Sequence, residues 1–401
     1  MGMTPETRLK LRVQVQRVFS PGTPISKYDL FSGRQDQMSL AVGAVQQPGR
    51  HAIIYGERGV GKTSLAKTLL DVIGDDFQTL DTQTINCDES DTFSILWHKA
   101  FRVLPYTTNE KRHPEYLDSL LPDTVVPDDI QYCLSHIKRP TIIIFDEVDQ
   151  LVDQNARNLL VATIKNLSDH SIDTTLILIG IGDTVDAVIE EHPSIARALV
   201  QVQMPRMSRD EIGDLIDLGL TKLGMTIEPK AKTLIASFSQ NLPFYAHSFG
   251  LYSGLKAVDD FRREITQIDV ASATLDILRN SHSVKSSYHT ATFSPQSNSK
   301  HDIALLACAL TQPDDMGFFS ASSVGKAMSA LLGKPVEVPS YIHYLKEFAE
   351  PKRGAVLQVV GEERRRRYRF VDPLLQPFVV IQAFATNRLP LDAFETDETK
   401  H

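Results

Sequence analysis

One stretch constrains the fold of this chain more than any other: HAIIYGERGVGKTSLAKTLL, His51 to Leu70. Ala52, Ile53 and Ile54 form a short apolar run. Gly56-Glu57-Arg58-Gly59-Val60-Gly61-Lys62-Thr63 follows with the spacing G-x-x-x-x-G-K-T. A buried strand, a glycine-rich turn and a helix in that order form a phosphate loop, which fixes an α/β core around it. Gly56, Gly59 and Gly61 admit backbone conformations that a Cβ would exclude. Successive N–H groups can then turn inward and cradle phosphate oxygens at a helix N-terminus. Lys62 supplies a cation for the β- and γ-phosphates, and the Thr63 hydroxyl is a Mg²⁺ ligand. Gly56 through Ser64 are therefore the expected nucleotide-binding residues, with ATP and Mg²⁺ as the ligands. Leu65, Leu69 and Leu70 continue at helical spacing, as the loop requires.

A second motif is independent of the first. Thr141-Ile142-Ile143-Ile144-Phe145 is a continuous apolar run ending in Asp146 and Glu147. Strands buried on both faces of a parallel sheet have this composition, and their carboxyl ends face the ligand crevice. Asp146 is placed to hold Mg²⁺ through its water shell. Glu147 is placed to orient and deprotonate the attacking water. Taken alone, the run also reads as a core strand ending in a solvated acidic turn. Beside a phosphate loop the paired carboxylates point to hydrolysis, since a passive binder has little use for a base next to the metal. Asp149 either joins this acidic corner or is simply solvated.

With 401 residues, the chain has room for two or three domains. It is 42% hydrophobic and 23% charged, the composition of a globular protein. No apolar stretch is long enough to cross a membrane, and the N-terminus does not resemble a signal peptide. Cys87, Cys133 and Cys308 are far apart and lack metal-ligand spacing, so they read as small core residues in a reducing, cytoplasmic setting. The net charge of −8 supplies no global attraction for nucleic acid. Any such contact has to come from a local basic patch.

Strands near 79–86, 141–145 and 174–181, separated by helical segments, predict a parallel sheet with crossover helices. Residues 1–20 read as a helical arm and 21–205 as the nucleotide domain. Ser208-Arg209-Asp210-Glu211 is a capping box opening a helix. It begins a small all-α lid over 206–280. The polar stretch 281–300 reads as a linker. Residues 301–385 carry three short helical patterns and two strands, 355–360 and 367–371, joined by an arginine-rich turn. Three helices and a β-hairpin make a winged helix. Residues 386–401 are an acidic tail.

With these parts in order, the chain resembles AAA+ ATPases of the origin-recognition-like initiator type and the neighbouring STAND signalling ATPases. GERGVGKTSL, IIIFDEVDQL and RYRFVDPLLQPF carry the resemblance. It implies an ATP-hydrolysing switch, α/β with a P-loop parallel sheet, a helical lid and a C-terminal winged helix, which assembles as a homo-oligomer. It also implies an arginine finger reaching a neighbouring subunit's γ-phosphate. Arg197, just before Leu199–Met204, holds that position; the alternative is a salt bridge within its own helix to Glu190 or Glu191. The lid reads Gln240-Asn241-Leu242-Pro243, without the arginine usual in initiators. It is similar instead to the G-x-P element of STAND proteins, with Asn241 in place of Gly and Pro243 near the nucleotide. A polar sensor at the end of the fourth strand falls on Asp183 or Thr184.

The wing bears on what the nucleotide is for. Tyr368 and Phe370 should face the core of their domain. Arg365, Arg367 and Arg369 should then line the outer face, with Arg364 and Arg366 near the turn. Such a cluster suits the phosphates of double-stranded DNA. Residues 301–385 are otherwise balanced, with ten Lys/Arg against nine Asp/Glu. Docking on an acidic protein partner is therefore the competing reading. In either case ATP is expected to bind between core and lid and to act as a clamp and timer.

Overall fold

The computed structural model describes residues 4–25, 31, 33–74, 80–106, 115–181, 195–294, 300–362 and 365–391. The chain divides into two compact units. One comprises Pro24–Gly56 and Gly61–Met204; the other comprises Met1–Thr23, Glu57–Val60 and Pro205–His401.

The first unit is built on a five-stranded sheet. Its strands are β1 (His51–Tyr55), β2 (Asp81–Asn86), β3 (Thr141–Asp146), β4 (Thr174–Gly180) and β5 (Leu199–Gln203). The spatial order is β2-β3-β4-β1-β5, with every pairing parallel. The expected α/β parallel sheet is thus present. β3 and β4 are buried at every position, which is why their sequences are nearly uninterrupted aliphatic runs. β2 lies at an edge and alternates between exposed and covered residues. The register sets Asn86 opposite Asp146, and Tyr55 opposite Gly180, at the carboxyl ends. Helix Lys62–Gly74 follows β1 and buries Leu65, Ala66, Leu69 and Ile73. Trp97 anchors the packing on helix Phe93–Phe101, edge-on to Phe93, Phe101 and Phe145. Cys87 and Cys133 are buried and free, and burial raises their thiols to about 12 and about 11.

The second unit gathers the N-terminal helix, the lid helices and the C-terminal segment. The sequence divides these into separate domains, but contacts group them as one. Helix Pro5–Val18 ends in Phe19, which is fully buried. Phe19 fills a notch that only glycine leaves open. A Cβ on Gly219 would meet its ring at 2.6 Å, and one on Gly250 at 2.5 Å. Arg8 and Arg12 tie the same helix to Asp259 at 2.8 and 2.5 Å. Helices Arg209–Leu223, Pro229–Ser239, Pro243–Asp259 and Gln267–Asn280 follow. The capping box at Ser208 is formed: its hydroxyl accepts from the Glu211 N–H, and its own N–H donates to the Glu211 carboxylate.

The expected linker over 281–300 is corrected in part. Residues His282–Thr292 form a helix that buries Val284 and Ala291. Its apolar stripe is thin among serines and histidines, which is why the sequence hides it. Tyr288 completes the stripe against Phe378, ring centroids 5.7 Å apart. Helices His301–Ala309, Ala321–Leu332 and Ile342–Phe348 come next, with a three-stranded sheet of β6 (Phe319–Ser320), β7 (Leu357–Val360) and β8 (Arg367–Phe370). The sheet order is β6-β8-β7, both pairings antiparallel. Helix Leu375–Ala385 closes the unit. The tail expected over 386–401 starts out packed, with Leu389 buried and Arg388 bonded to Asp302; residues 392–401 lie outside the described residues.

Candidate nucleotide site

β1 delivers the chain to Gly56 beside β5. The Met204 N–H donates to the Tyr55 carbonyl at 2.7 Å. A Cβ on Gly56 would sit 2.2 Å from the Met204 carbonyl oxygen, so glycine is required by space. Gly61 has open surroundings but φ +100°, a conformation glycine adopts without strain. After it the chain enters helix Lys62–Gly74, whose first N–H groups lack partners within the helix. The Lys62 ammonium folds back onto the Gly56 carbonyl at 2.9 Å. The Ser64 hydroxyl accepts from the Ile25 N–H at 3.1 Å.

At the end of β3, Asp146 is 5% exposed and both carboxylate oxygens are engaged. Oδ2 accepts from the Thr63 hydroxyl at 2.8 Å, and Oδ1 from the Glu147 N–H at 2.9 Å. Thr63 and Asp146, 83 residues apart in sequence, therefore meet at the helix N-terminus. Glu147 has φ +58°, an uncommon conformation for a residue with a Cβ. That turn ends the buried strand and leaves Glu147 exposed before the short 3₁₀ segment Val148–Gln150. Asp149 is half-buried in that segment. Asp146 and Thr63 present one carboxylate and one hydroxyl, a donor set that fits Mg²⁺ arriving with nucleotide phosphates and its own waters. Among the described residues no group of three His, Cys, Asp or Glu forms a metal cage.

Beneath the loop, His51 accepts from the Leu176 N–H through Nδ1 at 3.0 Å. Burial lowers this imidazole to about 4, so β1 is held by a neutral side chain.

The crest of the loop, Glu57–Val60, is held by residues the sequence did not single out. Arg206 grips Glu57 with a two-pronged guanidinium, Nε to Oε2 at 2.5 Å and Nη2 to Oε1 at 3.1 Å. The two side chains are 11% and 8% exposed. Arg206 Nη1 also donates to the Gln240 carbonyl at 3.3 Å. No sequence signal pairs two charges 149 positions apart. Val60 is buried. A Cβ on Gly59 would touch Leu374 at 3.0 Å and the Phe244 side chain at 3.7 Å. Phe244 follows Pro243, the buried first residue of helix Pro243–Asp259. Asn241 has φ +65°, a left-handed conformation that Asn tolerates.

Other expected residues are less well placed. Arg197 is exposed in the turn before β5, while Glu190 and Glu191 lie outside the described residues. Asp183, Thr184 and Arg364 also lie outside them. On β8, Tyr368 and Phe370 are buried as expected. Arg365 and Arg367 are exposed, and Arg366 and Arg369 half-buried. Arg367 pairs with Asp314 at 2.7 Å, and Arg369 donates to Gln358 at 2.7 Å. Both guanidiniums lie over the Phe318 ring, 4.8 and 4.6 Å from its centroid.

Residues 31–179 match the AAA ATPase domain family. Over 208 residues the chain is 26% identical to the ORC1-type DNA replication protein 2 of Thermoplasma acidophilum. That match covers 49% of this chain and 48% of the relative, so it spans about half the relative's length. In structure the chain is similar to the Aeropyrum pernix ORC1 protein in complex with DNA, with TM-score 0.52 and 15% identity over 93% of this chain and 98% of that one. The Cdc6p protein of Pyrobaculum aerophilum aligns over 94% of this chain and 99% of its own, with TM-score 0.48 and 15% identity. At such identity the Aeropyrum likeness shows the fold. Among the described residues no helix is long and apolar enough to cross a membrane.

Proposed function

We propose that the chain, whose residues 31–179 match the AAA ATPase domain family, is an ATP-hydrolysing nucleotide switch which assembles with ATP and binds duplex DNA through a C-terminal winged helix. The observation that carries the switch is the meeting of Thr63 and Asp146 at 2.8 Å on the N-terminus of the loop helix. In this reading the N–H groups from Glu57 to Ser64 bind the β- and γ-phosphates, and Lys62 leaves the Gly56 carbonyl to neutralise them. Mg²⁺, held by Thr63 and Asp146, would spread the charge that develops on the transferred phosphoryl group. Glu147 is exposed beside Asp146 and carries the role of base: it accepts a proton from the attacking water. Arg197 of a second copy completes the site.

The DNA reading rests on the three helices and three-stranded sheet of residues 301–370, and on Arg365 and Arg367 exposed along one strand. The names of the Thermoplasma relative, a DNA replication protein, and of the Aeropyrum structure, a complex with DNA, support it. Arginines on an exposed strand meet phosphates more readily than base edges, so recognition is of duplex rather than of sequence. Duplex binding measured by fluorescence anisotropy, with and without ATP, tests the proposal. Affinity should be similar across sequences and rise with ATP, because assembly multiplies the contacts. No duplex binding in either condition leaves the competing reading, an acidic protein partner for the wing. The pairing of Arg367 with Asp314 supports that second reading, since one arginine of this strand already bonds a carboxylate.

A further inference from the structure

An acidic residue in a phosphate loop is a liability. Glu57 follows Gly56 directly, within the turn whose N–H groups receive a polyanion. Its carboxylate is nearly buried, which sharpens its repulsion of neighbouring negative charge. The structure answers this charge with Arg206. The guanidinium meets both carboxylate oxygens in the planar, two-bond arrangement that suits arginine and that lysine cannot copy. A third bond to the Gln240 carbonyl fixes the guanidinium from behind. Gly317 closes the other side: with φ +83°, its missing side chain would sit 2.1 Å from Glu57 Oε1. The carboxylate thus has little freedom to turn, and Glu57 carries the crest of the loop with it.

We infer that Arg206 is a positioning residue for the ATPase reaction: by clasping Glu57 it cancels the negative charge inside the phosphate loop and fixes the crest in a shape ready for phosphates. Arg206 acts through Glu57 and touches no reacting atom. The clasp therefore governs nucleotide affinity rather than the chemical step. A loop held in shape before binding loses less freedom when it binds. The electrostatic part grows with the charge of the ligand, so ATP feels it more than ADP. Simple loosening of the loop has no such dependence.

The test compares Arg206→Met, Glu57→Gln and the double variant, in the full chain, for ATP and ADP affinity and for turnover at saturating ATP. Arg206→Met is expected to weaken ATP binding about tenfold or more, and ADP binding by less, with saturated turnover within about threefold of the parent. Adding Glu57→Gln should restore most of the loss, because the charge that needed cancelling is gone. Glu57→Gln alone should bind ATP at least as tightly as the parent. That last variant decides the matter should Arg206→Met fail to fold. ATP affinity within twofold of the parent in folded Arg206→Met, no recovery in the double variant, or loss of ATP binding in Glu57→Gln overturns the inference. Lys62→Ala serves as control: if it too binds ATP normally, the phosphate-loop reading falls, and not the clasp alone.

Discussion

The β7–β8 hairpin yields the prediction that can be worked furthest from the structure. Arg365 is exposed, whereas Arg367 is paired with Asp314 and its side chain is 53% exposed. An ion pair so open to water contributes at most about 1 kcal/mol. A DNA phosphate that takes over Arg367 therefore gives up about that much, close to a fivefold change in affinity. Asp314→Asn removes the competing charge but leaves Oδ1, which accepts from the Met316 and Phe318 N–H groups at 3.0 and 2.9 Å. The turn should persist, and duplex affinity should rise by up to about fivefold. Replacing Arg365, Arg367 and Arg369 with Ala acts in the other direction. Each lost phosphate contact flattens the dependence of log affinity on log salt by about 0.9, so three flatten it by up to about 2.7. Over a fourfold rise in salt each contact is worth roughly 3.5-fold in affinity. Fluorescence anisotropy with a labelled duplex over a salt series measures both. Unchanged affinity and slope in the triple variant refutes the reasoning and hands the hairpin to a protein partner.

Two further outcomes are expected. If Arg197 acts across a subunit boundary, mixing Arg197→Ala with Lys62→Ala chains should recover part of the ATPase activity that each lacks alone; wild-type activity in Arg197→Ala by itself removes the finger. His247 is buried with both ring nitrogens unpartnered, and burial lowers it to about 4 from an ordinary 6.5. Between those values the unfolded chain binds the proton and the folded chain does not. Its contribution is therefore fully present above pH 6.5 and is lost as pH falls toward 4, at roughly 1.4 kcal/mol per unit. His51 adds the same slope, while depressed carboxylates such as Asp269 lose their contribution only lower, as pH falls below the ordinary carboxylate range. Thermal melts from pH 7 to 5 should show a smaller loss for His247→Leu than for the parent; an identical loss contradicts the assignment.

What the sequence revealed and what it hid divide along physical lines. The parallel sheet was legible because strands buried on both faces must be apolar throughout, as β3 and β4 are. The loop was legible because steric needs write themselves as glycine: Gly56 has a carbonyl where its Cβ would be. Helix His282–Thr292 was not legible, because Val284, Tyr288 and Ala291 are too few among polar residues to mark a helical face. The lid and the C-terminal segment looked separable because sequence patterning reports local elements. Phe238 against Phe384, ring centroids 4.9 Å apart, is a contact no local pattern contains. Arg206 was hidden for the same reason. An arginine beside Pro205 reads as solvated until the fold brings Glu57 to it.

The central claim, that Lys62 holds the nucleotide while Glu147 activates water next to Asp146, is tested most directly by measuring ATP affinity and single-turnover hydrolysis on the same two variants. Lys62→Ala should lose ATP binding. Glu147→Gln should bind ATP as the parent does and hydrolyse it roughly 10²–10⁴-fold more slowly, since an amide cannot take the water's proton. Hydrolysis at the parent rate in Glu147→Gln, with ATP bound normally, contradicts the account.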